Sequence, residues 1–165
     1  MALSAPQPLA EHHGLGGFNS GVASLDDWLK RRARGNQASG ATRTFVVCEN
    51  DEVVAYYALA SGSVSAVAAT GRFRRNMPEP IPVAILARLA VDQRFHGKGF
   101  GRALVRDASQ RLEGAASALG IRGLVVHAIS EEARAFYLTL GFASSPLDPM
   151  TLMITLAEIR LSGMG

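Results

Sequence analysis

Cysteine is almost missing from this chain, which has a single one, Cys48, and only four histidines in 165 residues. So few thiol and imidazole groups exclude a disulfide scaffold and a zinc ribbon. Long apolar runs are also missing. The longest, over 53–60 and 83–87, are far shorter than the roughly 20 residues that a membrane-spanning helix needs. The sequence therefore predicts a protein whose fold is not stabilised by disulfides and that has no membrane-spanning helix.

Charged residues are scarce as well, at 19 %, whereas hydrophobic residues make up 48 % and the mean hydropathy is +0.13. This composition is too apolar for a disordered chain. No repeat or linker divides the sequence, so we expect one domain over residues 1–165. Residues 1–17 lack a basic start followed by an apolar segment, so we expect no signal peptide and a cytoplasmic location.

The small net charge of +3 is unevenly distributed along the chain. Between Trp28 and Arg106 there are 13 Lys and Arg residues against 5 Asp and Glu residues, and the rest of the chain is acidic. Two basic clusters stand out: Lys30, Arg31, Arg32, Arg34 and Arg43, and then Arg72, Arg74 and Arg75. Such clusters attract phosphate chains, although basic residues at a helix end also favour the helix dipole. Both interpretations stay open for the first cluster. The second cluster is expected in a loop, and its position there favours a role in binding a polyanion or the substrate.

Apolar periodicity and turn residues predict alternating helices and strands. The helices are expected over 24–34 with Ser24 as N-cap, from the glycine-rich turn to Gly120, and over 131–140, with a loop between Gly35 and Gly40. The strands are expected over 44–49, 52–60, 83–91, 124–129 and 151–156, the first two joined by a turn at Asn50 and Asp51. This order predicts an α/β (α+β) fold, a mixed central sheet flanked by helices.

The segment with the clearest chemistry lies between the central strand and the long helix, where residues 94–102 read RFHGKGFGR. Gly97, Gly99 and Gly101 allow backbone N–H groups to point towards one place, and the helix that starts there adds its positive end. The spacing differs from the dinucleotide fingerprint, because Arg102 stands where the third glycine is needed. It also differs from the Walker pattern, because no Ser or Thr follows Lys98.

Residues 94–99 resemble the pyrophosphate loop of the GNAT acyltransferase superfamily: Gln or Arg, two residues, Gly, one residue, then Gly or Ala. The surroundings are similar too, with an apolar strand before the loop, a long helix after it, and a later helix that carries Phe136 and Tyr137. The resemblance covers roughly residues 45–157. It implies a GNAT fold that uses acetyl-CoA as cosubstrate and needs no metal.

The resemblance also implies roles for individual residues. The backbone of Leu89, Ala90 and Val91 would pair with the pantetheine arm. Tyr137 would protonate the departing thiolate, since a phenol of pKa about 10 keeps its proton at neutral pH. The remaining residues implied to bind the cofactor are Arg94, His96, Gly97, Lys98, Gly99, Gly101, Arg102 and Phe136.

The acceptor must be a neutral amine to attack a thioester. A lysine of pKa about 10.4 is neutral about once in 2500 molecules at pH 7, whereas an α-amino group of pKa about 7.7–8.0 needs much less help. The carboxylates near the strands, those of Glu49, Glu52, Glu79 and Asp92, offer no convincing base. This favours an amine of low pKa.

Several segments together resemble the GNAT toxins of bacterial type II toxin-antitoxin systems: GVASLDDWL at 21–29, TFVV at 44–47, YYAL at 56–59, RFRRNMP at 72–78, LARLAVD at 86–92 and FYL at 136–138. This resemblance implies transfer of acetyl to the α-amino group of aminoacyl-tRNA, which blocks translation. It also implies a homodimer, and a ribbon-helix-helix antitoxin through which operator DNA is bound. Lys30, Arg31, Arg34, Arg72, Arg74, Arg75 and Arg88 would hold the tRNA phosphates.

Two other functions stay open from the sequence. The first is a GNAT enzyme that acetylates a small amine or a protein N-terminus. The second is a binding module of an antitoxin and DNA complex, in which catalysis is secondary. Outside these sites, we expect His12 and His13 at the surface and Cys48 as an inert thiol of the core.

Overall fold

The computed structural model describes residues 2–162, and its sheet confirms the predicted mixed α/β fold. Within that part of the chain the strands are β1 (Gln7–Pro8), β2 (Arg43–Glu49), β3 (Glu52–Val64), β4 (Ile81–Val91), β5 (Gly123–His127), β6 (Ala143–Ser144) and β7 (Thr151–Thr155). The helices are α1 (Ala23–Arg31), α2 (Ala33–Ser39), α3 (Gly71–Arg74), α4 (Phe100–Ala116), α5 (Glu131–Thr139) and α6 (Leu156–Leu161). The strand order is β1-β2-β3-β4-β5-β7-β6.

The chain forms two compact units. The first consists of the chain up to Ala60 together with Ala87–Asp107, and the second of Ser61–Leu86 together with the chain from Ala108 onwards. The single domain expected over residues 1–165 stays a prediction, since Met1 and residues 163–165 lie outside the described residues. Over residues 2–162, every helix is too short or too polar to traverse a lipid bilayer.

The first unit is built on the hairpin of β2 and β3, as predicted. The strands pair antiparallel with Val46 opposite Tyr56, and β1 pairs antiparallel with the outer side of β2. Asn50 and Asp51 have φ of 51° and 63°, the left-handed conformation that a two-residue hairpin turn requires. Leu25 and Leu29 of α1 join Val46 and Tyr56 in one apolar cluster, which fixes the helix against the hairpin.

The predicted helix over 24–34 is wrong at both ends. α1 follows Val22, whose side chain cannot cap, so Ser24 is not the N-cap. Instead, Asp26 in the first turn reaches back and accepts hydrogen bonds from Ser20 N–H at 3.0 Å and Ser20 Oγ at 2.6 Å. At Arg32 the backbone turns to φ −118°, and α2 then places Gly35 inside a helix and not in the expected loop.

In the second unit, β4 and β5 run parallel, with Ala84 opposite Leu124, and β5 pairs antiparallel with β7. Phe73, Ile81 and Met153 belong to the apolar cluster that covers this part of the sheet. The long helix ends at Ala116 and not at Gly120, and β5 ends at His127, before the predicted 129.

Two short helices of the second unit were not expected. Thr155 Oγ1 accepts Glu158 N–H while Glu158 Oε1 accepts Thr155 N–H, both at 3.0 Å, and this capping box starts α6 at Leu156. The predicted last strand therefore ends at Thr155. Thr70 Oγ1 likewise caps α3, so Arg72 and Arg74 belong to a helical turn and not to the predicted loop.

Cys48 and His13 differ in how well the sequence anticipated their burial. Cys48 is buried as predicted, and burial together with nearby carboxylates raises its pKa to about 11, so the thiol stays protonated. The surface position expected for His13 is wrong, because its side chain is buried and its Nδ1 accepts the Ala10 N–H at 2.9 Å. Burial and the neighbouring His12 lower the pKa of His13.

Gly123→Ala tests the contact between β5 and β7. A Cβ at this position would collide with the carbonyl oxygen of Ile154, a backbone atom that cannot move without disturbing the strand pair. We expect the free energy of unfolding, measured by urea denaturation, to fall by about 1–3 kcal/mol.

Gly114→Ala in α4 is the matched control, since among the described residues a Cβ there meets nothing within 4 Å. It should be neutral or stabilise the protein by up to about 1 kcal/mol. Equal stability of the two variants would contradict the tight packing of the two strands.

Candidate active site

The turn between β4 and α4 owes its shape to two glycines. Gly97 has φ of 74° and Gly99 has φ of 81°, which L side chains rarely adopt. Among the described residues, a Cβ on either glycine would meet nothing within 4 Å, so an open cradle lies in front of this backbone. The Ala103 N–H bonds to the Gly99 carbonyl at 3.1 Å and closes the first turn of α4. N–H groups of such a turn have no helical acceptor and favour an anion.

Asp92 fixes the backbone that leads into this turn. Its buried carboxylate accepts hydrogen bonds at 3.0 Å from the N–H groups of Asn19 and Arg94 and from Arg94 Nε. Burial alone would raise the pKa of Asp92, but these donors outweigh it and hold the pKa below its ordinary value. The Asp92 N–H bonds to the Val54 carbonyl at 2.8 Å, so one residue ties the turn to β3 and to the N-terminal segment.

Phe95 organises the basic side chains of the turn. The Arg94 guanidinium carbon lies 5.6 Å and Lys98 Nζ 5.7 Å from the centroid of its ring. His96 turns back, and its Nε2 donates to the Val91 carbonyl at 2.7 Å. The predicted cofactor residues 94–99 therefore lie together, with Arg94 and Lys98 held beside the cradle.

Arg94 also lines a cavity of about 270 Å³. Glu49 and Glu52 of the hairpin line it together with Gly17 and Val54. Carboxylates repel phosphate, so this cavity is unsuited to a polyanion and the glycine cradle is the better anion site.

The Arg88 guanidinium is held against α1 by an aromatic pair. Its carbon lies 5.2 Å from the centroid of the Trp28 ring, and Nη1 donates to the Ala87 carbonyl at 2.7 Å. The Trp28 ring is stacked at 8° on Tyr56, whose hydroxyl donates to the Leu25 carbonyl at 2.6 Å. The cation is therefore fixed before any ligand arrives.

The other predicted RNA-binding residues differ in how free they are. Lys30 and Arg31 are exposed in the last turn of α1, on the same helix as Trp28. Arg34 donates to the carbonyl oxygens of Glu11 and His13, so its guanidinium already holds the N-terminal segment.

In the second unit, Arg74 and Arg75 are exposed. Arg72 is exposed too, but its Nη1 lies 3.2 Å from Glu158 Oε2, so part of its charge is compensated. Arg74 and Arg75 are therefore the better candidates of this cluster for a phosphate.

Tyr137 lies on α5, which begins where Ser130 Oγ accepts the Ala133 N–H at 3.1 Å. Its ring packs edge to face on Phe136 at 5.1 Å and on Phe142 at 5.4 Å, and only 6 % of the side chain is exposed. Burial raises the pKa of Tyr137, so the phenol keeps its proton at neutral pH. The protonated phenol is the form that a general acid needs.

The sequence did not single out Asn19, which ties the glycine-rich turn to the N-terminal segment, or Trp28, on which the Arg88 guanidinium lies. Asn19 donates its N–H to Asp92 and accepts the Gln93 N–H at its carbonyl at 2.9 Å. An aspartate directly after a buried strand was the available signal for the anchoring role of Asp92, but its partner lies 73 residues away.

Residues 40–144 match the family model described as acetyltransferase (GNAT) domain. The chain is 48 % identical over 157 residues to the tRNA-acetylating toxin of Mycobacterium tuberculosis (strain ATCC 25618 / H37Rv), covering 95 % of both chains. Among solved structures, AtaT complexed with acetyl-methionyl-tRNAfMet superposes with a TM-score of 0.89 at 27 % identity, covering 97 % of this chain and 98 % of that one. A mutant AtaT bound to the C-terminus of the antitoxin AtaR and acetyl-CoA gives 0.83 at 26 %, covering 98 % and 97 %.

Asp92→Asn tests the anchoring carboxylate. We expect it to lower the free energy of unfolding at pH 7 by about 1–3 kcal/mol, because a buried charged acceptor of three hydrogen bonds is removed. The pKa of Asp92 is lower in the folded than in the unfolded protein, where it is about 3.9. The advantage of the wild type is therefore present above that value and lost as the pH falls through the folded pKa.

Urea denaturation of both proteins between pH 7 and pH 3 measures this difference. Asp27→Asn in α1 is the control, since Asp27 is exposed and should change stability little at either pH. If the difference in free energy of unfolding between wild type and Asp92→Asn did not shrink towards low pH, the Asp92 carboxylate would not be ionised in the folded protein at pH 7.

Proposed function

The chain belongs to the GNAT acetyltransferase family, and we propose that it is the toxin of a type II toxin-antitoxin system, an N-acetyltransferase that moves acetyl from acetyl-CoA to the α-amino group of aminoacyl-tRNA. The observation that carries the proposal is the 48 % identity, over 95 % of both chains, to a tRNA-acetylating toxin. Acetylation of the α-amino group removes the nucleophile of peptide-bond formation, so translation stops. The proposed unit is one acetyltransferase domain over residues 1–165.

The glycine-rich turn fits the pyrophosphate of acetyl-CoA. The backbone at Gly97 and Gly99 is exposed, and neither residue has a Cβ that would stand between it and a phosphate. The start of α4, with Gly101 and Arg102, adds N–H donors and a positive helix end. Arg94 and Lys98 supply charge beside it, and His96 holds the turn through Val91. Acetyl-CoA supplies the activated acetyl thioester.

The remaining cofactor contacts are proposed from the family pattern. The backbone of Leu89, Ala90 and Val91 at the end of β4 would pair with the pantetheine arm, as an added strand does. Because the Val91 carbonyl already accepts from His96, the other backbone groups of this segment must make that pairing. Phe136 would line the thiol end of the cofactor through its half-buried ring.

Tyr137 is proposed as the general acid. Its phenol is neutral at pH 7 because burial opposes ionisation, and its proton at Oη is available to the sulfur as the carbon–sulfur bond breaks. Protonation of the sulfur as it leaves prevents negative charge from building up on it, so the carbon–sulfur bond breaks more easily.

The tRNA phosphates are proposed to contact the exposed basic residues. Lys30, Arg31, Arg74 and Arg75 offer exposed charges, and Arg88 offers one fixed on Trp28. Phosphate contacts of this kind position an RNA without reading its sequence. Arg34 and Arg72 complete the proposed set. They are weaker candidates because Arg34 already donates to backbone carbonyls and Arg72 already pairs with Glu158.

The partners follow from the same similarity. We propose that a ribbon-helix-helix antitoxin neutralises this toxin and carries it to operator DNA; the AtaT structure with the C-terminus of the antitoxin AtaR supports such a complex. We also propose a homodimer that acts in the cytoplasm, where charged tRNA is used.

Transfer of radiolabelled acetyl from acetyl-CoA to total aminoacyl-tRNA tests the function. Wild type should label the tRNA, and Tyr137→Phe should lower kcat about 100-fold or more, the usual contribution of a general acid. Tyr57→Phe is the matched control, because that phenol is buried and donates to Asp107 in the first unit. It should keep its turnover.

Label on polyamines or peptides but not on tRNA would replace the toxin with an ordinary GNAT enzyme. Transfer to none of these acceptors would favour a binding module. Full turnover of Tyr137→Phe would remove the acid and leave the cofactor turn standing.

Arg74→Ala combined with Arg75→Ala tests the RNA surface. We expect weaker tRNA binding. The slope of the logarithm of the binding constant against the logarithm of the salt concentration should become shallower by about one for each phosphate that the variant no longer binds. KM for acetyl-CoA should not change. Arg160→Ala is the control, because this exposed arginine pairs with Glu113 at 3.0 Å and is not one of the proposed RNA-binding residues. Equal salt slopes for the double variant and wild type would contradict a role of these two arginines in RNA binding.

A further inference from the structure

His127, Thr151 and Asp148 form a hydrogen-bonded series in the second unit. His127 is the last residue of β5 and lies opposite Thr151, the first residue of β7. His127 Nδ1 is 3.0 Å from Thr151 Oγ1, and Thr151 Oγ1 donates to Asp148 Oδ2 at 2.9 Å. The three side chains come from two strands and from the loop that precedes β7.

The direction of these hydrogen bonds fixes the tautomer of His127. The Met150 N–H and the Thr151 hydroxyl hold the pKa of Asp148 below its ordinary value, so its carboxylate is ionised at neutral pH and only accepts. The one hydroxyl proton of Thr151 therefore goes to Asp148. Thr151 Oγ1 must then accept from His127 Nδ1–H, and neutral His127 keeps its lone pair on Nε2.

The same framework holds the helix that carries Tyr137. Arg134 on α5 donates from Nε to the Pro149 carbonyl at 3.0 Å, next to Asp148 in the loop. α5 itself begins four residues after His127. The series and the proposed acid therefore belong to one connected part of the second unit.

The arrangement suits a base better than a structural histidine. The side chain of His127 is exposed, and the backbones of β5 and β7 are paired without its help. An exposed imidazole with a lone pair on Nε2, oriented from behind by a hydroxyl and a carboxylate, is what proton abstraction requires. The sequence offered no convincing base among the carboxylates near the strands.

We propose that His127 is the general base of the acetyl transfer, with Thr151 and Asp148 as positioning residues; the inference rests on the function proposed above. The neutral α-amino nitrogen attacks the thioester carbon, the nitrogen–carbon bond forms and the carbon–sulfur bond breaks. One proton passes from the nitrogen to His127 Nε2, and one passes from Tyr137 to the sulfur. Exchange with solvent then returns both side chains to their starting states. Asp148, acting through Thr151, fixes the orientation of the imidazole.

Steady-state acetylation of aminoacyl-tRNA by the full chain tests this role. His127→Ala should lower kcat about 100-fold with KM for acetyl-CoA unchanged, and added imidazole should restore part of the rate. Thr151→Val, which has the same shape without the hydroxyl, should lose activity, whereas Thr151→Ser should keep most of it. In the His127→Ala background, Thr151→Val should add little further loss, because the two residues act as one series.

His12→Ala is the matched control, an exposed histidine of the first unit that should leave the rate unchanged. Melting temperatures of all variants separate lost chemistry from lost folding. A rate for His127→Ala within twofold of wild type overturns the proposal. The proposal is also overturned if imidazole does not restore the rate of His127→Ala and if Thr151→Ser loses activity only as far as its melting temperature falls. If wild type acetylates no aminoacyl-tRNA, the proposed function fails and this inference fails with it, an outcome that wild type alone reveals.

Discussion

The buried carboxylate of Asp92 holds the glycine-rich turn in the shape on which the proposed cofactor site depends. A charge removed from water is costly unless donors surround it, and the N–H groups of Asn19 and Arg94 and the Arg94 guanidinium supply them. The Asn19 donor ties the N-terminal segment to the end of β4, and the two Arg94 donors fix the start of the turn. Because part of the Arg94 guanidinium is committed to Asp92, the main-chain N–H groups of the turn must carry most of the interaction with a phosphate.

Features set by neighbouring residues were predictable from the sequence. The hairpin turn depends on the left-handed conformation of two adjacent residues, Asn50 and Asp51. The glycine-rich turn depends in the same way on the positive φ of Gly97 and Gly99, which are two positions apart. The start of α1 was not predictable in the same way. Ser24 has the right chemistry for a cap, but Asp26 reaches back to Ser20 and stabilises a helix that begins earlier. The capping box of α6 is present as Thr155 and Glu158, yet the apolar run before it continues into Leu156 and also fits a longer strand.

The site divides along the same line. Gly97, Gly99 and Tyr137 lie in local patterns that resemble a family, so their positions were expected. The series of His127, Thr151 and Asp148 depends on the register between β5 and β7, which no short pattern specifies. The anchoring contact of Asp92 with Asn19 joins residues 73 positions apart, and the burial of His13 depends on how the N-terminal segment folds over the first unit. The features that the sequence did not predict depend on contacts between residues far apart in the chain, and not on unusual residue types.

The stack of Arg88 on Trp28 and Tyr56 has a consequence for how tightly a phosphate or a base can be held. A long basic side chain in water loses rotamer freedom when it binds, at a cost of about 0.5–1.5 kcal/mol for each side chain immobilised. Lys30 and Arg31 on the exposed end of α1 face that loss in full. Arg88 has already undergone it during folding, since its guanidinium is fixed by the indole face and the Ala87 carbonyl. Any interaction through Arg88 would therefore retain more of its energy, because folding of the first unit has already fixed the position of its guanidinium.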